Sequence, residues 1–195
     1  MADIRGILLN GWMGLLKERY AQEQIEKARS DLSPADRALA SKILLDSNWY
    51  PLETLYAFHG LTRSLAGRQK PILPVVIGRS MAERAYGGVY RRLPAKDPAR
   101  QVEKLSYISE FFFRDTRSLE TEVDLRGACH IRYAYPVRKQ ESRAICLTLL
   151  GFWTATIEIS GAARVKGAHT QCVGEGAKTC ELVFTWKPAN GTSLD

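Results

Sequence analysis

Four side chains near the C-terminal end of the 195-residue chain have the types and spacing of a metal site: Cys146, His169, Cys172 and Cys180, in the order Cys-x22-His-x2-Cys-x7-Cys. Thiolate and imidazole are donors that zinc prefers, and a closed set of four protein ligands is structural because it leaves no position open to water. The set uses three of the four cysteines and one of the three histidines in the chain. Gly174-Glu175-Gly176 lies between the last two ligands, so a hairpin centred on Gly176 places Cys172 and Cys180 opposite one another on one face. His169 is the difficulty. Residues three apart on a regular strand point to opposite faces, so it joins Cys172 only if a β-bulge intervenes. The same residues also read as ordinary structure, three buried thiols and a histidine on a strand surface.

A helix and a hairpin must position these ligands. Cys146, Leu149, Leu150, Trp153 and Ile157 form one stripe of a helix from Ser142 to Ser160, stopped by Gly161. Arg164 to Cys172 and Ala177 to Lys187 read as one hairpin, and Ser118 to Leu125 with Ala128 to Tyr135 as another, turning at Arg126-Gly127. The N-terminal side reads as helical. Ile4 to Arg29 carries Leu8, Trp12, Leu15 and Leu16 on one face, and the capping box Ser33-Pro34-Ala35-Asp36 opens a short helix through Ala40. Asp46 to Pro51 leads into a helix bearing Leu52, Leu55, Phe58, Leu61 and Leu65; Val75 to Arg92 and Val102 to Arg114 follow, with Gly87-Gly88 a soft point. The expected fold class is α+β, a helical N-terminal two-thirds packed on an antiparallel sheet built by a β-β-α-β-β C-terminal unit. One domain spans residues 1–187, and 188–195 is a tail.

With 45% hydrophobic and 25% charged residues, the chain has the composition of a soluble domain able to bury one substantial core. It contains no apolar run near the roughly 18 residues of a membrane span and no signal sequence, which points to the cytosol and to free or metal-bound thiols rather than disulfides. The net charge of +7 is dispersed over Arg63, Arg68 and Lys70, then Arg91 and Arg92, then Arg132, Arg138, Lys139 and Arg143. That dispersion suits solubility or an acidic protein partner better than a nucleic-acid groove. No nucleophile elbow, phosphate loop or carboxylate cluster is present, and Cys129 and His130 face opposite ways on a strand, so no catalytic role is expected.

The succession of a helix ending at Gly161, a strand, His169-x-x-Cys172, a glycine turn, Cys180 and an aromatic-rich last strand resembles the vinyl-4-reductase domain. That superfamily includes bacteriochlorophyll-pathway vinyl reductases, aromatic-responsive transcription activators, haem nitric-oxide-binding domains and TRAPP vesicle-tethering subunits. In the activators, zinc is held by a helix cysteine, an acidic residue and two hairpin cysteines, positions matching Cys146, His169, Cys172 and Cys180; histidine here replaces the acidic ligand. Trp49-Tyr50-Pro51-Leu52, Leu15 to Tyr20 and the last hairpin together resemble a family of proteins of about this length in myxobacteria and related deltaproteobacteria.

The resemblance implies an interior pocket for an aromatic, porphyrin or acyl ligand, and such pockets are apolar with a few placed polar groups. Candidate lining residues are Trp49, Tyr56, Phe58, Tyr86, Tyr90, Tyr107, Phe111, Phe112 and Trp153, with His59 or His130 as polar anchors; each is also readable as core. A haem-binding relative uses a helix histidine and a Tyr-x-Ser-x-Arg clamp. Tyr107-Ile108-Ser109-Glu110-Phe111 lacks the arginine, so haem is not expected. Three functions follow from the resemblance: a cytosolic sensory module for a hydrophobic small molecule, acting through a homodimer or partner; an interaction adaptor with a filled core; and an auxiliary component of a tetrapyrrole vinyl reductase.

Overall fold

Three very short strands tie the two ends of the helical part together. In the computed structural model, which describes residues 2–67, 72–114, 119–124, 127–133 and 142–188, β1 (Asp3–Arg5) lies between β2 (Trp49–Pro51) and β3 (Phe113–Arg114) in an antiparallel sheet. Helix α1 (Gly6–Arg19) leaves β1 directly, and its first amides, Gly6 N and Ile7 N, donate to the carbonyls of Asn48 and Asp46 at 2.8 and 3.1 Å. Loop carbonyls thus satisfy groups that a helix start leaves unpaired.

The single helix expected over Ile4 to Arg29 is therefore three elements. Tyr20 turns extended (φ −133°, ψ 140°), and the Gln24 side chain accepts the Ala21 N–H at 2.9 Å, opening α2 (Gln22–Ser30). The expected cap at Ser33 is present: its hydroxyl accepts from Asp36 N at 3.1 Å and starts α3 (Pro34–Ala40). Next come α4 (Glu53–Ala66) and α5 (Leu73–Gly87); α5, expected to run to Arg92, stops instead at the soft glycine pair. Asp97 caps α6 (Pro98–Glu103), accepting from Arg100 N at 2.8 Å. The helix expected to run on to Arg114 breaks at Lys104 (φ −90°, ψ 0°), resumes as α7 (Leu105–Glu110) and passes into β3.

The C-terminal unit is β4 (Leu119–Asp124), β5 (Ala128–Tyr133), α8 (Ser142–Ile159), β6 (Ala162–Gln171) and β7 (Cys180–Pro188), the expected β-β-α-β-β order. Its antiparallel sheet runs β4-β5-β7-β6. Alternation decides its faces: Cys129, Ile131 and Tyr133 of β5 pair with Phe184, Leu182 and Cys180 of β7, and all six are buried on the side that receives α8. Burying a side chain of the size of Leu182 or Phe184 contributes roughly 1.5–3 kcal/mol, so apolar burial on this inner face does much to hold the helix.

Helix α8 also meets α5, at backbone distance. A Cβ on Gly78 would lie 1.8 Å from Thr148 O, and one on Gly151 would lie 1.9 Å from Val75 O. The two glycines face opposite partners, so the helices of the two halves interlock and any larger residue must separate them. No helix among the described residues is long and apolar enough to cross a membrane. Of the expected tail, 188–195, Pro188 instead ends β7; residues 189–195, the turn residues Leu125 and Arg126, the outer hairpin ends at Ser118 and Tyr135 and the charges Arg68, Lys70, Arg138 and Lys139 lie outside the described residues.

Candidate functional site

Cys146, His169, Cys172 and Cys180 come together, with their ligand atoms all within 4.8 Å of one another. The geometry follows from local structure on both elements. Cys146 sits on the α8 stripe that faces β7 and is 1% exposed. Strand β6 changes register between His169 and Gln171, and this bulge supplies the extra residue that brings His169 to the side of Cys172. A 3₁₀ turn, Val173–Glu175, then closes on Gly176 (φ +98°), with Glu175 N and Ala177 N both donating to Cys172 O at 3.0 and 3.1 Å. Cys180 opens β7 on the far side of the turn, where its sulfur accepts the Val173 N–H at 3.4 Å.

Two members of the cluster, Cys180 and His169, are shifted toward the form that donates to a cation, and Cys146 is shifted the other way. Cys180 is lowered to about 6, chiefly because the Cys146 thiol donates to its sulfur. That same bond, together with burial, raises Cys146. Burial holds the His169 imidazole below its ordinary value, hence neutral, and its Nε2 is buried with no hydrogen-bond partner among the described residues. Zinc–sulfur bonds of about 2.3 Å in a tetrahedron put sulfurs about 3.7 Å apart, so the cluster needs only a slight contraction to fit. Arg143 and Glu175 form an ion pair across the mouth of the turn. The fourth cysteine, Cys129, is apart from the cluster on β5, and burial pushes its thiol up to about 12, as for a core residue.

The aromatic residues divide among several places. Tyr86, Tyr90, Phe111, Phe112 and Trp153 share one chain of ring contacts, joined through Phe152. Most meet edge to face, Phe112 with Phe152 at 5.6 Å and Phe152 with Trp153 at 4.8 Å. Phe152 is absent from the stripe read in the sequence, although Ile145, Leu149 and Phe152 at i, i+4 and i+7 form a second apolar stripe beside the first. Within this interior Trp153 Nε1 is buried without a hydrogen-bond partner among the described residues. The Thr156 hydroxyl gives its own proton to Phe152 O at 2.8 Å and bonds the Tyr86 hydroxyl, while burial raises the phenol.

Four candidates lie elsewhere. Trp49 is at the small sheet, its indole sandwiched by the guanidinium carbons of Arg5 at 3.8 Å and Arg114 at 4.0 Å. Tyr56 lines a surface groove of about 300 Å³ with Asp31, Asp36 and Arg63. Phe58 contacts Trp12 at 5.7 Å under a second groove, of about 340 Å³, between α1, α2 and residues 40–44. Tyr107 is 57% exposed and touches the chain of rings only through Phe111, at 5.1 Å.

Neither proposed polar anchor faces the ring chain. His59 is buried on α4, 4.5 Å from the Trp12 ring, and burial with the nearby Arg63 charge lowers it to about 3. His130 lies on the outer sheet face, its Nδ1 3.3 Å from Glu181 Oε1. There Glu181 also accepts from Thr170 Oγ1 at 2.7 Å and Arg132 Nε at 2.9 Å, and the Thr170 bond, with those from His130 and Arg132, keeps its carboxyl below the usual range. Sequence reasoning misses this polar group, because it joins residues of β5, β6 and β7 that only the strand register brings together.

No protein-family model matches the chain, and no curated protein sequence matches it. Solved structures share its fold. A variant of an H-NOX protein from S. oneidensis in the Fe(II) ligation state aligns over 98% of this chain and 100% of its own at 12% identity, with a TM-score of 0.70. An unliganded Fe(II) H-NOX variant from K. algicida gives 94%, 97%, 13% and 0.65 for the same measures. An oxygen-binding H-NOX domain related to soluble guanylate cyclases gives 98%, 100%, 8% and 0.64. At these identities the likeness is one of fold: the chain has the architecture of these H-NOX domains.

The residues present do not fit haem. His130 is bonded to Glu181 and His169 lies within the cysteine cluster, while His59, whose Nε2 has no partner among the described residues, packs against Trp12 away from the chain of rings. Phe111, in the position where a propionate clamp needs arginine, contributes its ring to Tyr90 and Tyr107.

Proposed function

We propose that the chain is a cytosolic sensory or ligand-binding module for a hydrophobic small molecule, which relays occupancy through contact with another copy or a partner protein. The observation that carries this reading is the aromatic interior between α5, α7 and α8, which contains the buried Trp153 Nε1, without a partner among the described residues. A buried polar atom without a partner costs on the order of 1–3 kcal/mol, and a ligand carrying a hydrogen-bond acceptor removes that cost. The Cys146, His169, Cys172 and Cys180 set would hold zinc as a clamp between α8 and the last hairpin, four protein donors leaving no position for substrate. Its role is to fix the sheet against the helix that carries Phe152 and Trp153.

A second reading has its own support. The rings of the interior fill it by meeting one another, and α5 contacts α8 at backbone distance, as in an adaptor whose surface does the work. Native mass spectrometry and thermal melts with aromatic and fatty-acyl compounds separate the two. Retained organic mass, or a rise in melting temperature that saturates with ligand, supports the sensor. If metal is the sole retained mass and no compound shifts the melt, the sensor reading is abandoned for the adaptor.

A further inference from the structure

The four ligands of the cysteine cluster differ in what supports them. His169, Cys172 and Cys180 share one hairpin, and at its turn the Val173 N–H donates to the Cys180 sulfur at 3.4 Å. Cys146 belongs to a separate element and must be brought to the hairpin across a packing interface. It lies one turn into α8, where the amides are spent on carbonyls four residues back, and its support comes instead from a neighbouring strand. Strand β5 flanks β7 on the side away from β6, and Tyr133, its last residue, pairs in register with Cys180 on the inner face. Cross-strand neighbours have Cβ atoms about 4.5–5.5 Å apart, and a phenol is long enough to cross from there to the helix. The Tyr133 hydroxyl hydrogen-bonds the Cys146 sulfur. Because Cys146 gives its own proton to Cys180, the hydroxyl is the donor in this bond.

We propose that Tyr133 is a positioning residue of the metal cluster, its O–H holding the Cys146 sulfur toward the other three ligands and tightening metal binding. The proposal rests on the zinc reading above and extends it to a residue outside the four ligands. A metal-bound sulfur keeps lone pairs, and a hydrogen bond to one of them fixes the direction of the ligand and withdraws electron density from it. Packing alone does not account for the residue type. Tyr133 is 1% exposed, and a hydroxyl buried so deeply is costly unless it is bonded, whereas phenylalanine would fill the same space without that cost. Tyr133 thus joins three elements at one point: the strand that carries it, the β7 residue it pairs with and the helix that carries Cys146.

The test compares the full chain with Tyr133→Phe, which deletes the hydroxyl and keeps the ring. Zinc affinity is measured by competition with a chromophoric chelator, and the site is then loaded with cobalt(II), whose thiolate-to-metal charge-transfer band reports electron density on the sulfurs. Both proteins should bind one metal per chain, with affinity about ten-fold or more weaker in the variant and its band moved to lower energy. A ring-fluorinated tyrosine incorporated in place of Tyr133 is a stronger donor of nearly the same size and should move the band the opposite way. Ile131→Val, two residues earlier on the same sheet face, should leave affinity and band unchanged. Native affinity and an unmoved band in Tyr133→Phe overturn the proposal and leave the zinc reading standing. Weaker affinity with an unmoved band, or equal losses in Ile131→Val, assigns Tyr133 to packing and overturns it as well. A native chain that takes up neither zinc nor cobalt overturns both.

Discussion

Acid should destabilise this protein through one histidine. His59 is 5% exposed, sits edge-on to Trp12, and has no partner for its Nε2 among the described residues. Its folded value of about 3 lies below the ordinary 6.5, so the folded state keeps it neutral while the unfolded chain takes up a proton. The sign follows: for a histidine depressed in this way, stability is fully present above pH 6.5 and is lost as the pH falls toward 3. Between neutral pH and about pH 4.5 the linkage amounts to about 2–3 kcal/mol, nearly two protonation decades. Urea unfolding followed by tryptophan fluorescence, at neutral pH and at about pH 4.5, measures it in the native chain and in His59→Phe, which keeps a ring against Trp12. The gap between the two proteins should widen by that amount in favour of the variant at the lower pH. Parallel loss of stability in both would show that His59 protonates in the folded state and would refute the reasoning.

Gly78→Ala should cost about 2–4 kcal/mol in chemical denaturation, because its Cβ would lie 1.8 Å from Thr148 O; a change below about 0.5 kcal/mol would mean that α5 and α8 are not in backbone contact. Cys172→Ser should abolish stoichiometric zinc, read by elemental analysis, and lower the melting temperature; full retention of both would identify the cluster as ordinary buried thiols. Purified protein incubated with haem should show no shifted Soret band, and a saturating one would overturn the assignment of the three histidines to other contacts.

Much of the C-terminal unit is legible in the sequence, since local patterns determine it. The helix stripe through Cys146 and Trp153, the alternation of β5 and β7, and the need for a bulge between His169 and Cys172 all follow from fixed periodicities. The small sheet is not legible. Strands of two or three residues, such as Phe113–Arg114, carry no alternation, and their partners lie far away in the sequence. The break at Tyr20 depends on a single side chain, Gln24, reaching back to an amide. Tyr107 shows a different lesson: Leu105, Ile108 and Phe112 define the buried phase of its segment, and Tyr107 falls outside it, so helical phase predicts its exposure better than residue type does.

The position of β1 bears on how the chain acquires its structure. Asp3 pairs with Arg114, more than a hundred residues away, and the same strand pairs with Trp49 through Arg5. Closing so long a loop is entropically costly and slow compared with forming the local helices between its ends. During synthesis the helical half must therefore wait for residue 114 before its first strand has both neighbours. Trp49, clasped between Arg5 and Arg114, sits where that last step would be visible as a late change in fluorescence.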